Sequence, residues 1–548
     1  MLQSPLPPQV DAASRPTDGP GSSFLAPMGV TVFRNIWAGN LLTNLGVWAQ
    51  SVAVAWVIAA AHAGPIMVAM VQVASAVPLV VLLIAAGVLA DNYDKRKILL
   101  VGQVVEISGA IFLTVVAFLG HLDPTALILA VLWISIGSAI GEPAWQAAVG
   151  EQVPRNMVSS AVLLNGVNYN VARAVGPALG GLMLSVLAPS WVFLVSTLSY
   201  IGLLAAVWQW RHAEPQRSLP PESIREGVVA AMRFTWHSTV TRLAMLRSFM
   251  FGLAASVIWA LLPLVARERP DGSATLYGYM LGTLGIGAIL GSVLVPRLRP
   301  WLGSSRLISA AGAVLSVAMV LLAYAGSLEV LLPALGGAGA CWIVALTEYN
   351  ANVQLLVPDW VKGRALALYQ TALYAGLAIG SFLWGHLAET MGVSGAILSA
   401  AITLAMSVLL LYRSQFPEID AADMALAMGG KVVAPILAFD HEQGDVVTSI
   451  EYVIPLERAD EFVALASSLR HLRLRNGGRY WGLFRDIHDG EIWREVLLNE
   501  SWLQYLRMLD RMTIADKALI DQVRALHRGP APPRILAGVT YESIGWKK

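Results

Sequence analysis

Between two long apolar runs the chain reads Gly87-Val88-Leu89-Ala90-Asp91-Asn92-Tyr93-Asp94-Lys95-Arg96-Lys97. Five charges in the seven positions from Asp91 to Lys97 are too costly to sit in hydrocarbon, so this is a short connection between two spanning helices. Gly87 permits close helix contact. Asp91 is placed to pair with the cations that follow and to face a neighbouring helix end. Lys95 and Arg96 hold the loop on one side of the membrane.

Working outward, the apolar pattern continues on both sides. The chain has 548 residues, 56% hydrophobic and 13% charged, with a mean hydropathy of +0.62. An ordinary soluble chain is about one quarter charged. The deficit is uneven: 35 of the 73 charged residues lie in 414–548. A single soluble globule and a largely disordered chain are thereby excluded.

Spanning helices need about 20 apolar residues each. Twelve runs qualify: 31–60, 66–90, 98–119, 125–150, 157–186, 190–209, 242–266, 275–296, 303–325, 328–352, 364–387 and 392–412. Their Ala, Leu and Gly content and lack of alternation exclude an outer-membrane barrel. Backbone groups in lipid must be satisfied within their own segment, so the runs are read as α-helices.

Basic residues orient the chain. With the N-terminus inside, the cytoplasmic connections hold Lys95, Arg96, Lys97, Arg155, Arg297, Arg299, Lys362 and Arg364 among others, against Arg267 and Arg269 outside. Both termini are therefore expected in the cytoplasm. Residues 1–29 read as a disordered cytoplasmic tail and not as a signal peptide. The lone Cys341 has no intramolecular disulfide partner. A net charge of +4 for 1–413 and −3 for 414–548 leaves no basic patch suited to nucleic acid.

The longest polar connection in the membrane part, 211–241, divides it into six-helix bundles at 30–210 and 242–413. A shift of 204 residues supports a duplication. It makes Val153/Val357, Pro154/Pro358, Ala161/Ala365, Leu164/Leu368, Gly176/Gly380 and Leu179/Leu383 identical. Two parallel halves imply a site between them near the bilayer midplane, reached alternately from each side.

Gly87 to Lys97 resembles the loop signature of the major facilitator superfamily, Gly-x-Leu-Ala-Asp-Arg-x-Gly-Arg-Lys, with Asn92 and Asp94 standing where a basic residue and a glycine are usual. In the fifth span, Gly176-Pro177-Ala178-Leu179-Gly180-Gly181 allows close helix approach and a bend. It resembles the span-five signature of drug and proton antiporters, which helps seal the non-cytoplasmic exit. Pro143-Ala144-Trp145-Gln146, Val153-Pro154-Arg155, Leu164-Asn165 and Asn170 to Pro177 together are similar to the transmembrane secretion effectors. That resemblance implies export from the cytoplasm, with siderophores and lipophilic antibiotics as cargo types.

Ionisable groups inside spans are functional candidates by default. Arg173 lies about 24 Å at helical rise past the Arg155 loop. It shares a stripe of period four with Asn165 and Tyr169. Glu142 precedes Pro143, and Glu348 falls two positions from its repeat equivalent; Glu106 ranks behind them. Glu142, Arg173 and Glu348 are the candidates for proton coupling or the pathway. Asn40, Asn44, Asn165 and Tyr169 are candidates for cargo contact, and Asn40 and Asn44 suit helix-to-helix hydrogen bonds equally well. Arg247 reads as a residue reaching out to the interface. No phosphate loop supports ATP-driven transport.

After a linker at 414–444, residues 445–548 read as a cytoplasmic β-α-β-β-α-β unit. Its strands fall at 446–454, 479–487, 492–498 and 534–541, with helices at 457–475 and after Ser501. That order is ferredoxin-like and resembles the small dimeric barrels of the antibiotic-biosynthesis monooxygenase type. A tethered oxygenase is one implication. The His residues show no metal-ligand spacing and no catalytic cluster stands out, so the expectation is a binding or dimerising module without cofactor or metal. The whole reads as a cell-membrane exporter of a small amphiphilic molecule driven by proton antiport. Uptake of a metabolite is the alternative.

Overall fold

The computed structural model describes residues 24–210, 224–416 and 444–540. The side chains of Asp91, Arg155, Asp359 and residues 224–226 lie outside the described set, as do most of the expected N-terminal tail and of the 414–444 linker.

The first bundle is formed by α1 (Thr31–Ala60), α2 (Pro65–Asn92), α3 (Lys95–Phe118), α4 (Pro124–Gln152), α5 (Val158–Val186) and α6 (Pro189–Gln209). Local chemistry sets their starts. Pro65, Pro124 and Pro189 occupy the first helical position, where the missing N–H costs nothing. Asp94 caps α3 by accepting from the Arg96 amide at 2.9 Å, and Asp123 caps α4 through the Thr125 and Ala126 amides.

The second bundle comprises α8 (Thr239–Arg267), α9 (Ala274–Tyr324), α10 (Leu328–Leu356) and α11 (Asp359–Leu411). Two expected loops are absent here. The eighth and ninth spans run together in α9 and bend at Gly303 (φ 70°); the last two run together in α11 and bend at Gly392 (φ 77°). Left-handed backbone of this kind favours glycine, which turns the chain within two residues.

Among the described residues nine helices are long and apolar enough to cross a membrane. The bends divide α9 and α11 into two arms each, and α5, whose hydropathy is diluted by its Asn residues and Arg173, completes twelve spans. The repeat is visible in the boundaries: from Pro124 to Leu328 and from Gln152 to Leu356 is 204 positions at both ends of α4 and α10. Apolar side chains such as Val81, Val104, Leu198, Ile286, Val317 and Ile402 face outward. This reverses the pattern of a soluble protein and suits a lipid surround.

The halves meet along α2 against α11 and α5 against α9. The linker expected to be a plain polar connection carries an amphipathic helix, α7 (Ile224–His237). Its Phe234 is buried, and its Gly227 lies against Val88 of α2 and Arg364 of α11. Helix α7 thus lies over the seam between the halves on the basic face, the one carrying the Lys/Arg-rich loops.

The C-terminal unit has β1 (Val446–Val453), α12 (Ala459–Asn476), β2 (Tyr480–Arg485), β3 (Ile492–Asn499), α13 (Trp502–Asp510), α14 (Ile514–Ala525) and β4 (Arg534–Val539). The sheet order β2-β3-β1-β4 with antiparallel neighbours is the ferredoxin-like arrangement. One helix was expected after Ser501 and two are present. Thr513 and Asp516 form a reciprocal capping box that starts α14, a signal legible as Thr-x-x-Asp. Inside the domain Arg473 donates to Glu495 at 3.0 Å, and Tyr452 and Trp481 donate to the same carboxylate.

Candidate substrate pathway

A cavity of about 320 Å³ lies within the first bundle. Asn40 and Asn44 of α1, Gln103 and Glu106 of α3, Glu142 and Trp145 of α4, and Asn165 and Tyr169 of α5 line it. Every one of these positions falls in the half of its helix nearer the basic face. The cavity is therefore on that side of the midplane. Five of the residues singled out from sequence, Asn40, Asn44, Glu142, Asn165 and Tyr169, meet here.

Glycine contacts build the acidic wall. A Cβ on Gly102 would stand 2.9 Å from the Gly137 carbonyl oxygen, and one on Gly137 would stand 2.7 Å from the Glu106 backbone nitrogen. Only glycines let α3 and α4 approach so closely. Ser138 then donates to Glu106 at 2.7 Å, and Gln103 donates to its other oxygen at 3.3 Å. Glu142 lies one turn beyond Ser138 on α4 and accepts from Gln146 at 2.9 Å. Both carboxylates therefore line the same cavity, one from α3 and one from α4. Glu106, placed behind Glu142 and Glu348 from sequence, lines the cavity as well; its partner Ser138 is 32 positions away, and nothing local in the sequence orients it.

On α1, Asn44 combines both expected roles. It lines the cavity and donates to Asn168 at 3.3 Å, while Asn168 is buried and donates to the Trp37 carbonyl at 2.7 Å. Tyr169 opens an aromatic series across the seam. Its ring meets Trp48 at 6.4 Å, Trp48 meets Trp259 of α8 at 6.1 Å, and Trp259 meets Trp342 of α10 at 5.7 Å. Trp259 and Trp342 were not singled out from sequence, because interfacial tryptophans are common in such chains.

Arg173 continues the stripe but leaves the cavity. Its guanidinium lies 5.5 Å from the Trp259 ring centroid, and Nε and Nη2 have no hydrogen-bond partner. Arg173 and Glu142 form no ion pair: one lies over Trp259 and the other accepts from Gln146. Glu348 is also elsewhere: it is fully buried in α10, 3.7 Å from Arg299 Nε, and does not line the cavity. Arg247, read as reaching outward, extends to the end of the last span. It is buried and donates to the Leu411 and Ser414 carbonyls at the end of α11.

Gly176 and Gly180 face α1, where a Cβ would stand 2.6 Å from Trp48 Cβ and 2.7 Å from Ala49 Cα. Gly181 faces α9, with the Ala274 carbonyl oxygen at 2.6 Å, and Gly278 in turn meets the Pro177 carbonyl at 2.7 Å. This contact joins the two halves on the side away from the basic face. In the loop motif Lys95 pairs with Glu151 at the end of α4, and Arg96 donates to the Val207 and Trp208 carbonyls at the end of α6. A cation at a helix C-terminus is favoured by the unsatisfied carbonyls there. Gly87 itself is not tightly packed: a Cβ would sit at ordinary contact distance, 4.0 Å, from Ala367.

Comparison with known proteins follows the same lines. A family model described as transmembrane secretion effector matches residues 22–544. The multidrug efflux pump Tap of Mycolicibacterium fortuitum is 24% identical over 383 residues, 68% of this chain and 93% of that protein. The enterobactin exporter EntS of Escherichia coli O1:K1 / APEC is 28% identical over 359 residues, 62% of this chain and 83% of that one. Among solved structures, a POT family transporter in complex with a thioalcohol-conjugated peptide has a TM-score of 0.57 at 13% identity, covering 72% of this chain and 97% of its own. A bacterial homologue of the iron transporter ferroportin, in an inward-facing state, has a TM-score of 0.55 at 17% identity, covering 70% and 99%. At these identities the likeness is one of fold.

Proposed function

Because this chain belongs to the transmembrane secretion effector family, we propose that it exports a small amphiphilic, siderophore- or drug-like molecule by proton antiport, with alternating access. It is a multi-pass membrane transporter and not an enzyme. Its placement in the cytoplasmic membrane, with both termini inside, rests on the basic loops. The basic face is then cytoplasmic. The cavity between Glu106, Glu142 and Asn44 is a loading site on that face, while the Gly181–Gly278 contact closes the far side.

The observation that carries this reading is the pair of membrane-embedded carboxylates in a cavity of drug-fragment size. As access alternates, a carboxylate that meets water from each side in turn exchanges a proton against cargo. Glu142 and Glu106 take that role. Arg173 stands at the seam as a pathway residue able to follow the rocking halves, and Glu348 with Arg299 braces the second bundle. The Lys95–Glu151 and Arg96 contacts stiffen the cytoplasmic end of the first bundle. The exposed β4 edge, with Ile535 and Leu536 outward, suits pairing with a second copy of the soluble domain.

Everted vesicles test the proposal. Export predicts cargo accumulation under an imposed proton gradient that collapses with protonophore, and loss of coupling in Glu142→Gln. Accumulation indifferent to protonophore overturns the proton antiport, and proton-coupled accumulation that survives both Glu142→Gln and Glu106→Gln overturns the carboxylate assignment.

A further inference from the structure

The charge balance of the cavity selects among cargo classes. Its lining includes two carboxylates, Glu106 and Glu142, and among the described residues no Lys, Arg or His. The nearest embedded cation on the adjoining helix, Arg173, is turned out of the cavity onto Trp259. The carboxylates are held by neutral donors only, Ser138, Gln103 and Gln146. A third acceptor, Gln103 Oε1, is buried in the same wall with no donor at all. A buried acceptor without a donor is costly, and two like charges facing one cavity without a counter-ion disfavour each other's charged form. The wall is therefore short of positive charge and of N–H donors, and both shortages have to be met from outside the protein.

A proton meets only part of that demand. It neutralises one carboxylate and leaves the other still facing the cavity beside an acceptor without a donor. An ammonium group supplies a full charge and up to three donors in one place. An anionic cargo would instead add a third negative charge to this wall. Tyr169, backed by Trp48, lines the same cavity and offers a ring surface for a flat body and attraction for a cation.

We propose that the cargo is a flat cationic amphiphile carrying N–H donors, seated in the first-bundle cavity with its charge and donors against Glu106 and Glu142 and its apolar body against Tyr169. This identification rests on the export reading above for its direction but not for its chemistry. One carboxylate holds the cation while the other is free to exchange the coupling proton.

Binding and transport separate the two claims. Ethidium, a flat permanent cation, is titrated against the purified full chain in detergent by fluorescence polarisation. Nile red, flat and neutral, serves as the control for an intact fold. Ethidium should bind, and Glu106→Gln with Glu142→Gln should weaken it at least tenfold while Nile red binding changes less than twofold. The single variant Glu106→Gln, which keeps the hydrogen-bonding shape of the side chain, should weaken ethidium several-fold. Failure of ethidium to bind, binding that survives both substitutions, or equal displacement by the catecholate anion 2,3-dihydroxybenzoate overturns the proposal. If ethidium binds as expected but everted vesicles fail to accumulate it, the cargo chemistry stands and the export reading falls.

Discussion

The guanidinium of Arg511, in the soluble domain, lies 4.2 Å from the ring centroid of Trp360 at the start of α11. Trp360 in turn meets Phe234 of α7 edge-on at 5.7 Å, and Arg475 lies over Phe234 at 5.9 Å. From the other side Arg233 of α7 donates to the Gly477 carbonyl at 3.0 Å and pairs with Glu500. The soluble domain is thus seated on the helix that lies across the seam between the halves. Movement of one half against the other must either carry the domain or release it.

Removing the seat should loosen the domain without unfolding it. A cation–π contact of this kind contributes about 1–2 kcal/mol. Trp360→Ala combined with Arg233→Ala should therefore raise amide exchange in α7 and at the end of α12 by roughly one to two orders of magnitude. Unchanged exchange there would show that the seat does not hold the domain.

The same contact should weaken in acid. His237 of α7 faces His471 of α12 at 6.1 Å. Burial, then His471, Arg233, Arg242 and Arg470, push the His237 pKa below its ordinary 6.5. The docked state therefore binds fewer protons than the undocked one, and docking weakens as pH falls below about 6.5. It is unaffected above that value, where His237 is neutral in both states. Glu500, paired with Arg233, offsets part of the positive field. Exchange protection at α7 measured from pH 8 to 5.5 should decline on the acid side, and His237→Gln should flatten the profile.

The far-side closure should be intolerant of bulk. A Cβ at Gly181 would stand 2.6 Å from the Ala274 carbonyl oxygen, and backbone cannot yield as a side chain does. Gly181→Ala should cost about 1–3 kcal/mol, read as a lower melting temperature in detergent. It should also admit a membrane-impermeant thiol reagent to a cysteine placed at Thr275. Wild-type melting and unchanged labelling would remove this contact from the closure.

Within the soluble domain the ion pair of Arg473 and Glu495 is almost wholly buried. Glu495→Ala leaves a buried guanidinium unpaired, a loss of about 3–5 kcal/mol. Chemical unfolding followed through Trp481, which also donates to this carboxylate, should show the loss. Arg473→Met with Glu495→Leu should restore much of it.

Several elements were legible one residue at a time. The polar connections, the Pro starts, the Asp94 cap and the 204-residue repeat each depend on neighbours in the chain. The stripe of Asn165 and Tyr169 was readable from its four-residue spacing along one helix. Glu106 and Glu348 each stand in an apolar run, and spacing along one helix does not say which neighbouring helix a side chain meets. Glu348 and Glu106 look alike in sequence for that reason. One is buried against Arg299 in the second bundle, and the other faces the cavity because Gly102 and Gly137 bring α3 onto α4.

The sequence by itself determined that this chain crosses a membrane twelve times in two related halves, which side carries its basic loops, and that a ferredoxin-like unit follows. Those properties arise from the cost of placing charge and unsatisfied backbone in lipid, which each segment meets alone. Only the tertiary structure decided which charges share a cavity, that Arg173 turns to Trp259 and not to Glu142, and that the soluble domain sits on α7 and Trp360. Those outcomes depend on how closely helices distant in sequence approach, and glycine-to-backbone contacts of a few ångströms settle that distance.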